Sequence, residues 1–378
     1  MAADPGAAEG GIMEAAVQTG PGAPATGAAV QSLTRVPFHF TGKAGEYFKI
    51  WIVNILLTIL TLGIYSAWAK VRRKRYFYGN TSLQGAHFEY LAEPVQILKG
   101  RLIAFGLFVV YGVANNFMPP LAGALALAFV ALFPWLVIRA LSFNARYSAY
   151  RNIRFNFKSS YGKALAVHIG LPILSVLTIG IAYPAYAYHR SKFVVAQSGY
   201  GTTAFSFNAT MGNFYVIYLL AILILLGGIV GLAVIGAALS VLPKMLGTAA
   251  AAPNPAFTVL SGFAIMLVMA LILLTARAYI ETATTNVIWN NVASGHNRFA
   301  SALDTKTMVW LYLSNAMAIL FSLGLLIPWA QIRMTRYRLG RLTLLSTGDL
   351  DSFIAKEQEA VAAAGEEIAD FFDFDVGL

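Results

Sequence analysis

Residues 61–76 read TLGIYSAWAKVRRKRY, and this stretch decides how the chain is organised. Two ungapped copies follow it, TIGIAYPAYAYHRSKF at residues 178–193 and SLGLLIPWAQIRMTRY at residues 322–337. In each copy a glycine lies near the end of an apolar run, and basic or histidine side chains follow nine and twelve residues later. Similarity at fixed spacing is the signature of an internal repeat. The sequence therefore predicts a threefold repeat.

The composition indicates a membrane protein. Hydrophobic residues make up 58% of the 378 residues and charged residues 12%, whereas soluble proteins carry about 25% charged residues. The chain contains no cysteine, which excludes disulfides, thiolate zinc sites, iron–sulfur clusters and cysteine nucleophiles. The formal net charge of +10 is typical of a membrane protein with basic cytoplasmic loops.

Three regions of different character follow one another along the chain. Residues 1–34 are rich in Ala, Gly and Pro and predict a disordered tail. Residues 346–378 hold nine of the 17 acidic residues and predict an acidic amphipathic tail, either solvated or docked as a helix on the basic cytoplasmic loops. Residues 35–345 form the predicted membrane domain between them. The repeat divides this domain into units at about residues 36–150, 151–295 and 296–345.

Seven apolar runs lie in the membrane domain. Most of them reach the ~20 residues that a helix needs to cross the hydrocarbon core. Pro119 and Pro120 join the second and third runs into a tight helical hairpin. The runs cover about residues 48–69, 102–118, 121–143, 164–188, 214–242, 256–280 and 308–332.

The distribution of charge discriminates between two topologies. If all seven runs cross the membrane, 19 of the 27 lysines and arginines lie on one side. If runs one, four and seven instead enter and leave on the same side, 26 of the 27 do. Because cytoplasmic loops carry an excess of Lys and Arg, the charge favours re-entrant or broken helices and two cytoplasmic termini. Length alone favours seven crossings, so both topologies stay open at this point.

Short aromatic motifs precede five of the apolar runs. Aromatic residues at period two predict short strands with one apolar face, and these strands would form small cytoplasmic β elements. The predicted fold is thus a polytopic α-helical membrane protein with an internal threefold repeat of strand motif, re-entrant or broken helix and helical hairpin. The motifs begin at Phe38, Phe88, Phe155, Phe205 and Phe299.

The first copy of the repeat resembles a known family. The resemblance rests on FHFTGKAGEYF at residues 38–48, TLGIYSAWAK at residues 61–70, YFYGNT at residues 76–81 and LKGR at residues 98–101. These stretches look like the YjgN-like bacterial inner-membrane proteins, a family with a domain of unknown function, and the likeness extends over about residues 36–345. It implies an integral inner-membrane protein and supplies no reaction, substrate or catalytic residue.

The repeated glycine and proline positions are candidates for hinges or close packing. Glycine accepts backbone angles that cost other residues about 1 kcal/mol or more, and proline four residues later allows a helix to break. The first copy has alanine at the proline position. The candidate residues are Gly63, Gly180, Gly324, Pro184 and Pro328.

Polar side chains inside the apolar runs form a second candidate set. Polar groups at membrane depth are costly and commonly functional, so they could line a path for a solute or lipid. The alternative is that they hydrogen-bond between helices and hold them together. The candidates are Asn54, Thr58, Thr61, His168 and Asn315.

The basic clusters that follow the three glycines are candidates for contact with anionic lipid. Each Lys or Arg near an anionic leaflet contributes about 1 kcal/mol of attraction. The alternative is that these residues only orient the chain by the positive-inside rule. The candidates are Arg72, Arg75, His189, Lys192, Arg333 and Arg336.

The search for chemistry finds no catalytic, metal or cofactor site. The five histidines have no metal-ligand spacing, and the GYGTTA stretch at residues 199–204 leads into a strand motif rather than a helix, which excludes dinucleotide binding. We therefore predict no enzyme, no cofactor and no nucleic-acid partner. The expected function is an inner-membrane scaffold that engages anionic lipid or partner proteins through a basic cytoplasmic face. The alternative is a transporter or channel for a small solute or lipid, with its path between the repeats. The sequence indicates no oligomeric state.

Overall fold

The computed structural model of the protein describes residues 33–245 and 255–373. The predicted disordered tail lies outside these ranges except for its last two residues. Two kinds of element make up the described chain: short strands that join into one sheet, and long helices that leave the sheet and return to it in pairs.

Ten short antiparallel strands close into a barrel. The first and last strands pair with each other and close the barrel, with Thr34 opposite Ser346. Closure leaves no strand edge with unpaired N–H and C=O groups. The strands are β1 (Thr34–Phe40), β2 (Thr81–Leu83), β3 (Ala86–Tyr90), β4 (Ser148–Tyr150), β5 (Ile153–Phe157), β6 (Ser198–Tyr200), β7 (Thr203–Phe207), β8 (Val292–Ser294), β9 (Asn297–Ser301) and β10 (Leu342–Ser346).

Four tight turns lie at one end of the barrel, which we call the turn end. They join β2 to β3, β4 to β5, β6 to β7 and β8 to β9. Positive backbone φ angles suit such turns, because their twist matches that of the flanking strands. The residues with positive φ in these turns are Gln84, Gly85, Arg151, Asn152, Gly201 and Gly295.

Five helical pairs connect successive strands at the opposite end of the barrel, which we call the helix end. In each pair the second helix returns the chain to the strand next to the one it left. The helices are α1 (Ala44–Leu60), α2 (Ser66–Gly79), α3 (Pro94–Phe117), α4 (Pro119–Arg146), α5 (Tyr161–Leu177, with a π-helical turn at Ala166–Gly170), α6 (Tyr183–Ala196), α7 (Met211–Met245), α8 (Pro255–Asn290), α9 (Thr305–Phe321) and α10 (Ile327–Gly340). An additional helix, α11 (Leu350–Asp373), follows the last strand.

Two of the five pairs are long enough to span a membrane. Four helices within the described chain have the length and apolar composition of membrane spans, and they form the pairs α3/α4 and α7/α8. A helix of 24 residues such as α3 is about 36 Å long, which exceeds the ~30 Å hydrocarbon core. The apolar side chains of these helices face outward rather than into the protein, as lipid-facing helices require.

The other three pairs, α1/α2, α5/α6 and α9/α10, are called the short pairs. They reverse direction at the repeated glycines. The N–H of Gly63 donates to the carbonyl of Thr58 at 2.7 Å, and Gly180 and Gly324 make the same bond five residues back at 2.7 and 2.8 Å. The residue before each glycine bonds three residues back. This combination of bonds is the Schellman motif that ends a helix. The three short pairs therefore share one turn geometry.

The residue before each glycine adopts a backbone conformation that is costly for its type. Leu62, Ile179 and Leu323 have φ angles of 49°, 51° and 49°. Left-handed backbone costs an L-residue about 1–2 kcal/mol and is rare for a β-branched side chain. All three side chains are also almost fully exposed, by 95%, 93% and 93%. The turns thus hold large apolar side chains at their tips in spite of the backbone cost.

The repeated prolines lie where the apolar runs are interrupted, directly after the turn, and begin the second helix of the pair. Pro184 and Pro328 occupy the first turn of α6 and α10, where a missing N–H costs nothing. Ala67 stands at the same place in α2 and is fully buried. A small or cyclic side chain thus fits at this position in all three return helices.

The sheet is larger and more ordered than the sequence predicts. All five predicted strand motifs are strands (β1, β3, β5, β7 and β9), but they belong to a closed ten-stranded barrel instead of small separate β elements. Four of the partner strands are only three residues long. Period two cannot be recognised over so few residues, so the sequence did not indicate these strands.

Candidate functional site

A ring of five phenylalanines surrounds the barrel axis. The first aromatic residue of each strand motif comes from an alternate strand of the barrel, and all five line one internal cavity. Their ring centroids lie 6.1 Å apart for Phe38 and Phe88, 6.5 Å for Phe38 and Phe299, and 6.4 Å for Phe155 and Phe205. The repeated aromatic motif therefore supplies the central layer of the barrel core.

The cavity inside the barrel has a volume of about 750 Å³. Its size lies within the ~300–1,000 Å³ range of ligand pockets. At the helix end of the cavity, the five return helices α2, α4, α6, α8 and α10 each contribute an apolar residue, and we call these five residues the collar. At the turn end, α11 contributes three apolar residues, which we call the cap residues. These collar and cap residues are Phe77, Leu141, Val194, Trp289 and Leu339, and Leu350, Phe353 and Ile354.

Helix α11 covers the turn end of the barrel. Leu350 and Ile354 are buried in the barrel core, and Phe353 stacks on Tyr200 with 6.4 Å between the ring centroids. The sequence left open whether the acidic tail is solvated or docks onto basic loops. In the structure its first half docks, mainly on the barrel core and the tight turns.

A buried carboxylate attaches α11 to the turn between β6 and β7. Glu357 is 6% exposed, and it accepts hydrogen bonds from the N–H and hydroxyl of Thr202 at 2.7 and 3.0 Å and from the hydroxyl of Thr203. Burial alone raises the pKa of this carboxyl, but the bonds from Thr203 and Thr202 outweigh it and hold the pKa below its usual range. The carboxylate is therefore charged and fully bonded at neutral pH.

The remaining turns also contact the segment after β10. Asp351 forms an ion pair with Arg151 in the β4–β5 turn and accepts a hydrogen bond from Gln84 in the β2–β3 turn. The hydrogen bond with Asp351 raises the pKa of the Arg151 guanidinium. Thr347 donates to the carbonyl of His296 in the β8–β9 turn at 3.1 Å. Every tight turn of the barrel is thus tied to the chain that follows its last strand.

Two of the predicted basic residues bind backbone carbonyls at the helix end. Arg75 donates to the carbonyls of Tyr90 and Ala92 at 3.3 and 3.0 Å, and Arg336 donates to the carbonyl of Gly42 at 2.9 Å. Both guanidinium groups bond the loop in which a strand passes into a helix. They hold the junction between barrel and helices in addition to any contact with lipid.

The remaining predicted basic residues differ in exposure. Arg72 and Lys192 are exposed and His189 is half-buried. Arg333 is half-buried, lies 5.1 Å from the ring centroid of Trp329, and donates to the side chain of Asn315 at 3.2 Å. Arg72 and Lys192 are therefore the members of this set best placed to meet an outside anion.

The predicted intramembrane polar residues are distributed over separate helical pairs. The hydroxyls of Thr58 and Thr61 bond carbonyls one turn back at 2.6 and 2.7 Å, and His168 contacts the carbonyl of Ala164 at 3.2 Å. Asn54 is buried, and its side-chain oxygen has no partner among the described residues. Most of this set is therefore satisfied within its own helix.

Asn315 alone of this set lines a second cavity. This cavity has a volume of about 570 Å³ and lies between α2, α9 and α10. Arg73 and Lys74 from the first short pair and Gln331 from the third also line it. The structure thus brings polar and basic groups of two predicted repeat units to one opening.

Sequence patterns did not identify the two residues that meet at the contact between the cap and the β6–β7 turn. Glu357 lies among the acids of the predicted tail, and Gly201 lies in the GYGTTA stretch that we considered only as a nucleotide motif. Gly201 has a φ of +59°, and a Cβ there would collide with the Glu357 carboxylate. Gly201 shortly before the predicted strand at Phe205 was the available clue to a turn.

Comparison with known proteins identifies a family for the chain but no solved structure that resembles it. The family model described as "Bacterial protein of unknown function (DUF898)" matches residues 35–371. Inner membrane protein YjgN of Salmonella typhimurium is 33% identical over 143 residues, 38% of this chain and 36% of that protein. YjgN of Escherichia coli K12 is 33% identical over 147 residues, 39% and 36%. The matched region thus covers about a third of these relatives. No solved structure matches.

Proposed function

The chain belongs to the DUF898 family of bacterial proteins of unknown function, and we propose that it is a scaffold that engages anionic lipid at the cytoplasmic face of the inner membrane. The relatives' name and the four apolar helices support an inner-membrane location. The proposal concerns what the basic helix end of the barrel does there.

The single observation that carries the proposal is the apolar tip of each short pair. Leu62, Ile179 and Leu323 are at least 93% exposed in the protein itself. Each keeps a large apolar side chain at a backbone position where glycine would avoid strain. Large exposed apolar surfaces indicate a membrane or protein contact. We therefore infer that the three tips insert into hydrocarbon.

The length of the short pairs sets the depth of insertion. Arg72 follows Gly63 by nine residues, and α2 begins at Ser66, so the helical rise between the two is at most about 14 Å. Half of the ~30 Å hydrocarbon core is about 15 Å. With Arg72 at the headgroups, the tip reaches the middle of the bilayer and turns back. If the three short pairs are copies of one repeat, His189 and Arg333 come to the same level as Arg72, and Lys192 and Arg336 lie three residues further along their helices, at the level of Arg75.

This arrangement sets the proposed orientation. The three short pairs enter and leave on the barrel side, and the pairs α3/α4 and α7/α8 cross and return. By the positive-inside rule the basic barrel side is cytoplasmic. Both ends of the described chain belong to the barrel or its cap, so both termini would be cytoplasmic.

The lipid test compares two double variants that remove equal charge. Arg72→Gln/Lys192→Gln removes exposed basic groups of the short pairs, and Arg154→Gln/Arg298→Gln removes exposed basic groups of strands β5 and β9. Phosphatidylglycerol and cardiolipin that remain bound after purification are measured by mass spectrometry at low and high salt. We expect less anionic lipid only in the first variant, and less in wild type as salt rises. Equal retention in both variants at both salt concentrations contradicts the proposal.

The second cavity favours transport as a second candidate function. Arg73, Lys74 and Asn315 give it a polar, basic wall between the first and third short pairs, and transporters bind solutes where interrupted helices meet. The test is flux of small anions into proteoliposomes. Transport through this cavity requires flux that falls in Asn315→Leu and persists in Asn116→Leu, which changes an exposed asparagine near the end of α3. Absence of flux in wild type rejects this candidate.

A further inference from the structure

We propose that the interior of the barrel is a binding site for an alkyl chain, supplied by a fatty acid or by the acyl chain of a membrane phospholipid. This site is separate from the basic surface and does not depend on its contact with lipid. The juxtaposition that points to it is an apolar collar at the helix end, the phenylalanine ring in the middle and the apolar cap at the turn end, all around one cavity of about 750 Å³.

The walls of the cavity are mostly apolar and offer few free polar atoms. Three asparagines line it. Asn144 accepts a 2.6 Å hydrogen bond from Lys74 and Asn156 donates a 2.7 Å bond to the carbonyl of Gly201. The side chain of Asn297, which is 5% exposed, has no hydrogen-bond partner among the described residues. Ser294 is the one buried lining hydroxyl without a partner in the described part of the chain. A stable water needs two to four polar partners, so Ser294 and Asn297, which pair across β8 and β9, can hold a single water but cannot fill a cavity of about 750 Å³ with ordered water.

An empty cavity of this size is also unfavourable. Protein interiors are closely packed and hold few voids larger than a water molecule, and the cost of a cavity increases with its volume. An apolar occupant such as a hydrocarbon chain satisfies both constraints. The aromatic rings offer flat surfaces to methylene groups without requiring hydrogen bonds.

The position of the collar explains how a chain would enter. The collar residues lie near the ends of the five return helices. Two of these helices, α4 and α8, have the length and composition of membrane spans. The turn end is closed by α11. The collar thus places apolar side chains of the return helices at the helix end of the cavity, and an alkyl chain would enter from that end.

Trp289 provides a direct probe of this cavity. It lines the cavity and lies 5.2 Å from the ring centroid of Phe299. A variant that keeps Trp289 and has phenylalanine at the other tryptophans is placed in nanodiscs and titrated with 9,10-dibromostearate, whose bromine atoms quench tryptophan at contact. A second variant keeps only Trp310, which is 59% exposed on α9, and reports general partitioning into the bilayer. We expect saturable quenching of Trp289 and proportional, unsaturated quenching of Trp310.

Two matched substitutions locate the quencher. Ser198→Leu narrows the helix end of the cavity at the loss of one local hydrogen bond, and Ser206→Leu makes the same change on the exposed face of β7. We expect several-fold weaker quenching of Trp289 only in Ser198→Leu. Equal quenching in both variants, or quenching of Trp289 that follows Trp310, overturns the proposal.

Two further titrations are made on the variant that keeps Trp289 and has Ser198 unchanged. The first identifies the source of the alkyl chain, and the second tests the site even if Ser198→Leu fails to fold. Nanodiscs made with dibromo-phosphatidylglycerol and no fatty acid quench Trp289 if a phospholipid chain enters, and leave it bright if only free fatty acid does. In the second titration, the water-soluble quencher acrylamide is added to this same protein and the fluorescence of Trp289 is measured. Weak quenching by acrylamide together with saturable quenching by either bromolipid supports the site, whereas strong quenching by acrylamide shows a hydrated interior and overturns it.

Discussion

The carboxylate of Glu357 accepts a 2.7 Å hydrogen bond from the backbone N–H of Thr202, although 155 residues separate the two along the chain. The bond joins the helix after the last strand to a turn in the middle of the barrel. Thr202 and Thr203 add their hydroxyls to the same carboxylate. The closure of the turn end therefore depends strongly on one buried charged group.

Substitution of Glu357 by glutamine should loosen the cap. Hydrogen bonds to a charged group contribute about 1.5–3 kcal/mol each, and the amide can replace only part of this set. We expect faster hydrogen exchange and earlier proteolysis in α11, while the barrel strands keep their protection. Glu359→Gln, the same change at an exposed position of the same helix, serves as the control and should behave like wild type.

The same carboxylate makes cap docking pH-dependent. The pKa of Glu357 is lower in the folded protein than its value of 4.5 in the unfolded chain. Its contribution is therefore fully present above pH 4.5 and is lost as the pH falls through the folded pKa. Hydrogen exchange of α11 should rise in this acidic range in wild type and change less in Glu357→Gln. Identical pH profiles for the two proteins would show that another group controls the cap.

Gly201 and Gly295 allow a steric test of the same contact. Their φ angles are +59° and +58°, so alanine meets the same backbone cost at both. A Cβ at Gly201 collides with Glu357 and lies 3.1 Å from Ile153, whereas at Gly295 the nearest atom is 3.6 Å away in Phe353. We expect Gly201→Ala to lower the melting temperature more than Gly295→Ala and to release α11. Equal melting temperatures and equal protection of α11 are inconsistent with a tight contact at Gly201.

The tips of the short pairs provide a test in which water and hydrocarbon give opposite results. Asp tolerates left-handed backbone better than leucine does, so Leu62→Asp is neutral or stabilising if the tip lies in water. If the tip lies in hydrocarbon, the charge costs about 2.5–3.5 kcal/mol. We expect Leu62→Asp to reduce the folded yield and the melting temperature in nanodiscs. Leu62→Gly, which removes the strain without adding charge, is the control and should remain close to wild type.

Labelling of single cysteines tests the orientation, since the chain contains no cysteine of its own. His87→Cys lies on an exposed face of the barrel, Ala355→Cys on the cap and Asn116→Cys near the end of α3. An impermeant maleimide should label only Asn116→Cys in intact cells with a permeable outer membrane, and all three after lysis. Labelling of His87→Cys or Ala355→Cys in intact cells is incompatible with a cytoplasmic barrel.

The sequence predicted the local elements of the fold better than their assembly. The period-two aromatics that begin at Phe38, Phe88 and Phe155 indicated strands because alternation is visible within five residues. The glycines at residues 63, 180 and 324, followed in the second and third copies by proline, indicated where the apolar runs change direction. These signals depend only on neighbouring residues, so a single sequence contains them.

The barrel closure and the cap depend on contacts between distant residues. The pairing of Thr34 with Ser346 leaves no local pattern, and strands such as Ser148–Tyr150 are too short to show one. Glu357 is one of several acids in its helix, and only the position of Thr202 identifies it as the buried one. For the same reason the five aromatic motifs could be recognised without showing that their phenylalanines form a ring.

The most direct test of the proposed membrane contact is the depth of the three tips. Spin labels at cysteines that replace Leu62, Ile179 and Leu323 are examined in nanodiscs by power-saturation EPR with oxygen and with a polar nickel chelate. We expect high accessibility to oxygen, low accessibility to nickel and a depth of about 15 Å, the middle of a ~30 Å hydrocarbon core, at all three positions. Free collision with the nickel chelate, from either side of the membrane, would contradict this expectation.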